Sequence, residues 1–164
     1  MAILSQSMVI YEAEFERISS VLARLWVDAN AKIVFLVDKN GQQLAAKGDL
    51  DKVDTTSLAS LTAGNVAATD GLARLIGEKE FSILFHEGER DNIHISIVGQ
   101  RLILVVIFDE RSSLGLVRLR VRKAAAELEE VLSQMADKAA QRGEEVVSPF
   151  AEITDEDIDN LFSE

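Results

Sequence analysis

Five short β-rich runs, split two and three by one long helical stretch, leave this chain few folds to adopt. Lys32 to Asp38 (KIVFLVD) and Gln42 to Lys47 flank Asn40-Gly41, a strong hairpin signal because both residues tolerate positive φ. Phe81–His86, Asn92–Val98 and Arg101–Phe108 follow as three further runs, joined by turns at Gly88 and at Gly99-Gln100. Links this short make neighbouring strands antiparallel, since a parallel crossover needs about a dozen residues or more. Around the strands stand three helices. Tyr11 to Asp28 places Tyr11, Phe15, Ile18, Leu22 and Leu25 or Trp26 at helical spacing. A second helix starts near Thr55-Thr56, runs to Ile76 and stops at Gly77. The last starts near Ser112 or Ser113 and extends toward Gln141, with Leu114, Val117, Val121, Ala124, Leu128, Val131 and Met135 in a regular 3-4 repeat. The order αββαβββα predicts an α/β sandwich, a five-stranded antiparallel sheet flanked by helices, over residues 8–141.

The chain of 164 residues is long enough to bury a sizeable core. Aromatic residues are only 5% of it, so Leu, Val, Ile and Ala must fill the interior. Cys is absent, which excludes a disulfide framework and Cys-ligated zinc and suits a reducing cytoplasm. No stretch reaches the roughly 18 apolar residues of a membrane span, and the first residues carry no basic segment ahead of an apolar run. A cytoplasmic location without membrane insertion is therefore expected. The net charge of −11 argues against nucleic acid as a partner.

That charge is unevenly placed. Residues 144–164 hold eight carboxylates and no Lys or Arg, leaving −3 for residues 1–143. The chain thus divides into a nearly neutral domain, a linker over 142–152 containing its only proline, Pro149, and an acidic segment over 153–164. In that segment Thr154 is a good helix N-cap, followed by Asp155, Glu156 and Asp157 at the positive end of the dipole. Ile153 and Ile158 occupy the positions of a hydrophobic staple, and Ile158, Leu161 and Phe162 line one side at i, i+3 and i+4. A helix of about ten residues is unstable alone in water. It either folds into a groove on a partner, docks on its own domain, or stays unfolded.

Signs of chemistry are few. His86 and His94 are the only histidines, both in predicted strands, with no third ligand at a recognisable spacing, so they read as ordinary strand residues. No phosphate-binding loop, nucleophile elbow or zinc-protease motif occurs, and Asp155 to Asp159 lacks the glycine and spacing of a calcium loop. Neither metal nor cofactor is expected, and the chain is not read as an enzyme.

The second helix is the most informative stretch. From Thr55 to Gly77 only Asp70 and Arg74 are charged. At 100° per residue, Leu58, Leu61, Leu72, Leu75 and Ile76 share one face, which is expected to lie on the sheet. Ser57, Ser60, Gly64, Ala67 and Gly71 make a neighbouring stripe almost without side chains, where an exposed helix normally carries charge. Interior glycines cost roughly 1 kcal/mol each relative to Ala. Either something packs tightly here inside the monomer, or the stripe is a protein–protein surface.

The segments ANAKIVFLVDKNGQ (29–42), DTTSLASLTAGNVAATDGLARLIGEKEF (54–81), VVIFDERSSLGLVRLRV (105–121) and SPFAEITDEDIDNLFSE (148–164) resemble the roadblock (dynein light chain-like) superfamily. Within it they resemble the bacterial regulators of polarity and motility that activate a Ras-like small GTPase. The likeness spans nearly the whole chain apart from its first residues and the 138–147 stretch. It implies a homodimer in which two sheets and two second helices meet across a twofold axis, with two copies binding one GTPase. The implied contact surface is the second helix, here Ser60, Gly64, Ala67 and Gly71 with Arg74 beside them. The C-terminal helix, here Ile158, Leu161 and Phe162, is implied to dock elsewhere on the GTPase and to influence nucleotide exchange. Activation in such proteins is implied to need no inserted catalytic residue, because the dimer shifts the GTPase into a state that positions its own Arg and Gln. Recruitment to a cell pole goes with that reading. The alternative within the superfamily is a passive scaffold that holds a small GTPase or motor component without changing its turnover.

Overall fold

The computed structural model describes residues 3–5 and 8–141. The expected linker and acidic helix, with Ile158, Leu161 and Phe162, lie outside the described residues. A hairpin that the sequence pattern did not announce comes first: β1 (Ile3–Ser5) pairs antiparallel with β2 (Met8–Ile10). The elements then run α1 (Glu12–Asp28), β3 (Ile33–Asp38), β4 (Gln43–Gly48), a 3-10 turn at Leu50–Lys52, α2 (Thr55–Leu75), β5 (Ile83–Glu87), β6 (Asn92–Val98), β7 (Leu102–Phe108) and α3 (Leu114–Gln141). The main sheet has the order β4-β3-β7-β6-β5, antiparallel throughout.

β3 and β7 occupy the centre because they are apolar on both faces. Ile33 sits opposite Ile107 and Asp38 opposite Leu102, and every residue of both strands is buried. Alternation along each strand feeds two cores. Val34, Leu36, Leu102, Leu104 and Val106 meet Ile18, Leu22, Val117 and Leu128 of α1 and α3. Ile33, Phe35, Val37, Ile103, Val105 and Ile107 meet Ala59 and Val66 of α2. The molecule is therefore three layers, with α1 and α3 on one side of the sheet and α2 alone on the other. The β3–β4 hairpin is tied by Asp38, whose Oδ1 accepts from the backbone N–H of Asn40 and Gln42, both at 2.9 Å.

Local chemistry sets the ends of α2. Asp54 accepts from the Ser57 N–H at 3.1 Å and from the Ser57 hydroxyl at 2.6 Å, an N-cap that holds its carboxyl below the usual range. Gly77, at φ +81, takes the left-handed conformation that stops the helix.

The face by which α2 lies on the sheet differs from the expected one. Ala59, Thr62, Ala63, Val66 and Ala73 are its buried residues. The leucine face points outward instead, with Leu61 exposed at 74%, Leu72 at 60%, Leu75 at 83% and Ile76 at 69%. Only Leu58 of that set packs against the core. The physical reason is the closeness of approach. A Cβ added to Gly41 in the β3–β4 turn would stand 3.3 Å from the Ser60 Cα and 3.6 Å from the Ala63 Cβ. A helix held that near accommodates alanines beneath it, and leucines there would push it away.

Candidate protein interface

Two adjoining flanks make up the outward side of α2. On the first, Ser60, Gly64, Ala67 and Gly71 are all exposed, with Arg74 exposed beside them. A Cβ added to Gly64 or Gly71 would meet nothing within 4 Å, so no part of the described domain packs on the stripe at these two positions. On the second stand Leu61 and Leu72, with Leu75 between the two at the outermost position. Thr62 and Thr69 turn their hydroxyls onto their own helix, donating to the Leu58 and Asn65 carbonyls at 2.7 Å. The exposed side of α2 itself carries few polar side chains, among them Ser57, Ser60 and Arg74. Arg74 lies in the last turn, where its charge suits the negative end of the helix dipole.

The leucine flank looks toward β5. Asn65, on that side of α2, bonds the His86 Nε2 at 2.8 Å, which ties the helix to the strand. Among the described residues β5 pairs only with β6, which leaves its other edge open, and Ile83 at its start is half exposed. An open edge beside uncovered leucines is a surface natural proteins rarely leave bare. The small-residue flank lies on the opposite side of the helix, above the β3–β4 turn.

Elsewhere the surface offers little for catalysis. The two histidines do not meet: Phe85 is opposite His94 and His86 opposite Ile93, so their rings point to opposite faces of the sheet. His94 is buried on the α1/α3 side, where burial and then the charge of Arg118 hold its pKa below the usual value. Among the described residues no three His, Asp or Glu side chains are grouped to hold a metal ion. A hollow of about 550 Å³ between α1 and α3 is lined by Glu16, Arg17, Arg24, Glu127 and Glu130. Two of its cations are engaged, Arg24 pairing with Glu127 at 2.8 Å and Arg17 donating to Gln134 nearby. Among the described residues no helix is long and apolar enough to cross a membrane.

Sequence reasoning located the small-residue stripe but missed Leu61, Leu72, Leu75 and Ile83 as surface. The usable signal was the spacing of Ala59, Ala63, Val66 and Ala73, a run of small side chains at 4, 3 and 7 suited to close packing on a sheet.

The family model of the Roadblock/LC7 domain matches residues 18–108. MglB of Myxococcus xanthus is 59% identical over 78% of this chain and 96% of its own, with a TM-score of 0.74. The gliding protein MglB of Thermus thermophilus is 35% identical over 80% of this chain and 99% of its own, at a TM-score of 0.75. A Roadblock/LC7 domain from Streptomyces avermitilis, 14% identical over 70% of this chain and 97% of its own, shares the fold at a TM-score of 0.63. No curated protein matches the chain.

Proposed function

Because this chain belongs to the Roadblock/LC7 family and is 59% identical to an MglB, we infer that it is a GTPase-activating partner of a Ras-like small GTPase of the MglA type. It acts as a homodimer, two copies to one GTPase, in the control of polarity and motility. The observation that carries this reading is the bare outward side of α2, an apolar surface with no charge but Arg74 and Asp70. Its two flanks divide the work. Leu61 and Leu72, continuous with the open edge of β5, meet their equivalents in a second copy. Ser60, Gly64, Ala67 and Gly71 remain outward beside them, where small side chains let a partner's backbone approach closely. Ile158, Leu161 and Phe162 make a separate contact with the GTPase and modulate nucleotide exchange.

Activation works through the partner's own residues. A trans-acting arginine finger supplies roughly 10³–10⁵ in rate. Arg74 is the one arginine of α2, and it sits at the rim of the stripe, within reach of the dipole of its own helix. The dimer accelerates hydrolysis by binding the GTPase conformation in which the nucleotide-facing groups are already aligned, which lowers the barrier by orientation. The test is phosphate release by the Ras-like GTPase of the same genome, with and without this protein. Acceleration at saturating binding is expected. Binding without acceleration would replace the activator with a passive scaffold.

A further inference from the structure

The outward side of the first turns of α3 carries Arg118, Leu119, Arg122 and Lys123, all exposed, Leu119 at 59%. Among the described residues none of these three cations has an ion-pair partner. No acidic residue occurs between Leu114 and Ala126; the first on the helix is Glu127, one turn beyond Lys123, and it is engaged by Arg24 at 2.8 Å. Arg118 and Arg122, one turn apart, repel each other. In a chain of net charge −11 an uncompensated basic stripe with a bare leucine at its centre calls for an anionic, partly apolar cover.

The chain carries such a segment. Residues 144–164 hold eight carboxylates and no cation, and they set Ile158, Leu161 and Phe162 among Asp155, Glu156, Asp157 and Asp159. This is the complement of Leu119 among Arg118, Arg122 and Lys123. The geometry allows the contact. From Leu119 to the end of α3 at Gln141 the helix rises about 33 Å. The linker 142–152 spans up to about 36 Å when extended, enough to turn back along it.

We propose that the acidic segment 153–164 docks on the Arg118, Leu119, Arg122 and Lys123 stripe of its own α3. The segment is then sequestered in the free protein and becomes available only when a partner displaces it. The proposal concerns the protein alone, so it holds or fails independently of the GTPase reading.

The absence of cysteine makes the test clean. Nitroxide labels are placed on Ala126→Cys and Ser163→Cys in the full chain, diluted with excess unlabelled chain so that only distances within one chain are read. Pulsed electron resonance is expected to give a short population, below about 30 Å, since Arg118 lies only about 12 Å along the helix from the label at Ala126. That population should vanish near 1 M salt, where the Debye length is about 3 Å, and in the Arg118→Glu/Arg122→Glu/Lys123→Glu variant. Circular dichroism checks the fold of that variant; if it is lost, Arg122→Gln/Lys123→Gln and the salt series carry the decision. A broad, long distribution at low salt overturns the proposal. So does a short population indifferent to these changes, or one seen in undiluted labelled protein that disappears on dilution with unlabelled chain.

Discussion

Gly71→Arg separates a docking surface from internal packing more sharply than any other single change. Gly71 is exposed in the interior of α2, and a Cβ there meets nothing within 4 Å. In the free protein the new side chain extends into water. Replacing an interior glycine by a good helix former recovers about 0.8 kcal/mol of helix propensity. For a domain of this size that raises the thermal midpoint by about 2–3 °C. The dimer should persist, because Gly71 and Leu72 are turned about 100° from each other around the helix axis. Binding to the GTPase should collapse. An arginine buried without a partner costs several kcal/mol, and even about 3 kcal/mol weakens binding more than hundredfold. A thermal melt, light scattering and titration of the variant against the GTPase loaded with a GTP analogue read all three. A midpoint lowered by several degrees would mean that the stripe is packed inside the monomer. A stable variant with normal affinity would refute the stripe as the partner site.

Leu72→Asp tests the other flank: it should convert a dimer of about 36 kDa, twice 18.0 kDa, to a folded monomer by light scattering, because Leu72 is largely exposed in the single chain and its loss removes no core contact. A dimer that survives this change would place the twofold elsewhere. Arg74→Ala should keep most of the stimulated phosphate release, whereas a loss of about a thousandfold with binding intact would make Arg74 an arginine finger. His94 should make stability pH-dependent. Its folded pKa is below the usual 6.5, so as pH falls through that value the unfolded chain takes up a proton that the folded one refuses. Stability is lost over that window, at most about 1.4 kcal/mol per pH unit from this residue. Urea unfolding at neutral and mildly acidic pH should show a shallower dependence for His94→Leu, and an identical slope would contradict the buried neutral ring.

Much of the architecture follows from local rules that act within a few residues. The 3-4 repeat of Val117, Val121, Ala124, Leu128 and Val131 makes α3 a helix with one buried stripe wherever it packs. Asn40-Gly41 and Gly99-Gln100 close hairpins because short turns need residues that tolerate positive φ, and the five main strands pair accordingly. The lack of charge along α2, and the smallness of Ser60, Gly64, Ala67 and Gly71, were likewise legible from composition and period. The direction in which that helix faces was not. Helical periodicity sorts residues into faces without saying which face meets the sheet, and the larger apolar face is the natural choice. Tertiary structure decided otherwise, because the β3–β4 turn at Gly41 brings α2 so near that only Ala59, Ala63 and their neighbours fit beneath it. Leu61, Leu72 and Leu75 are thereby turned outward and left uncovered in the single chain. Strand order was decided the same way. Residue patterns showed five antiparallel runs, but β3 and β7, distant in sequence, become neighbours at the centre because both are apolar on both faces. That placement leaves β5 as an edge beside the leucines.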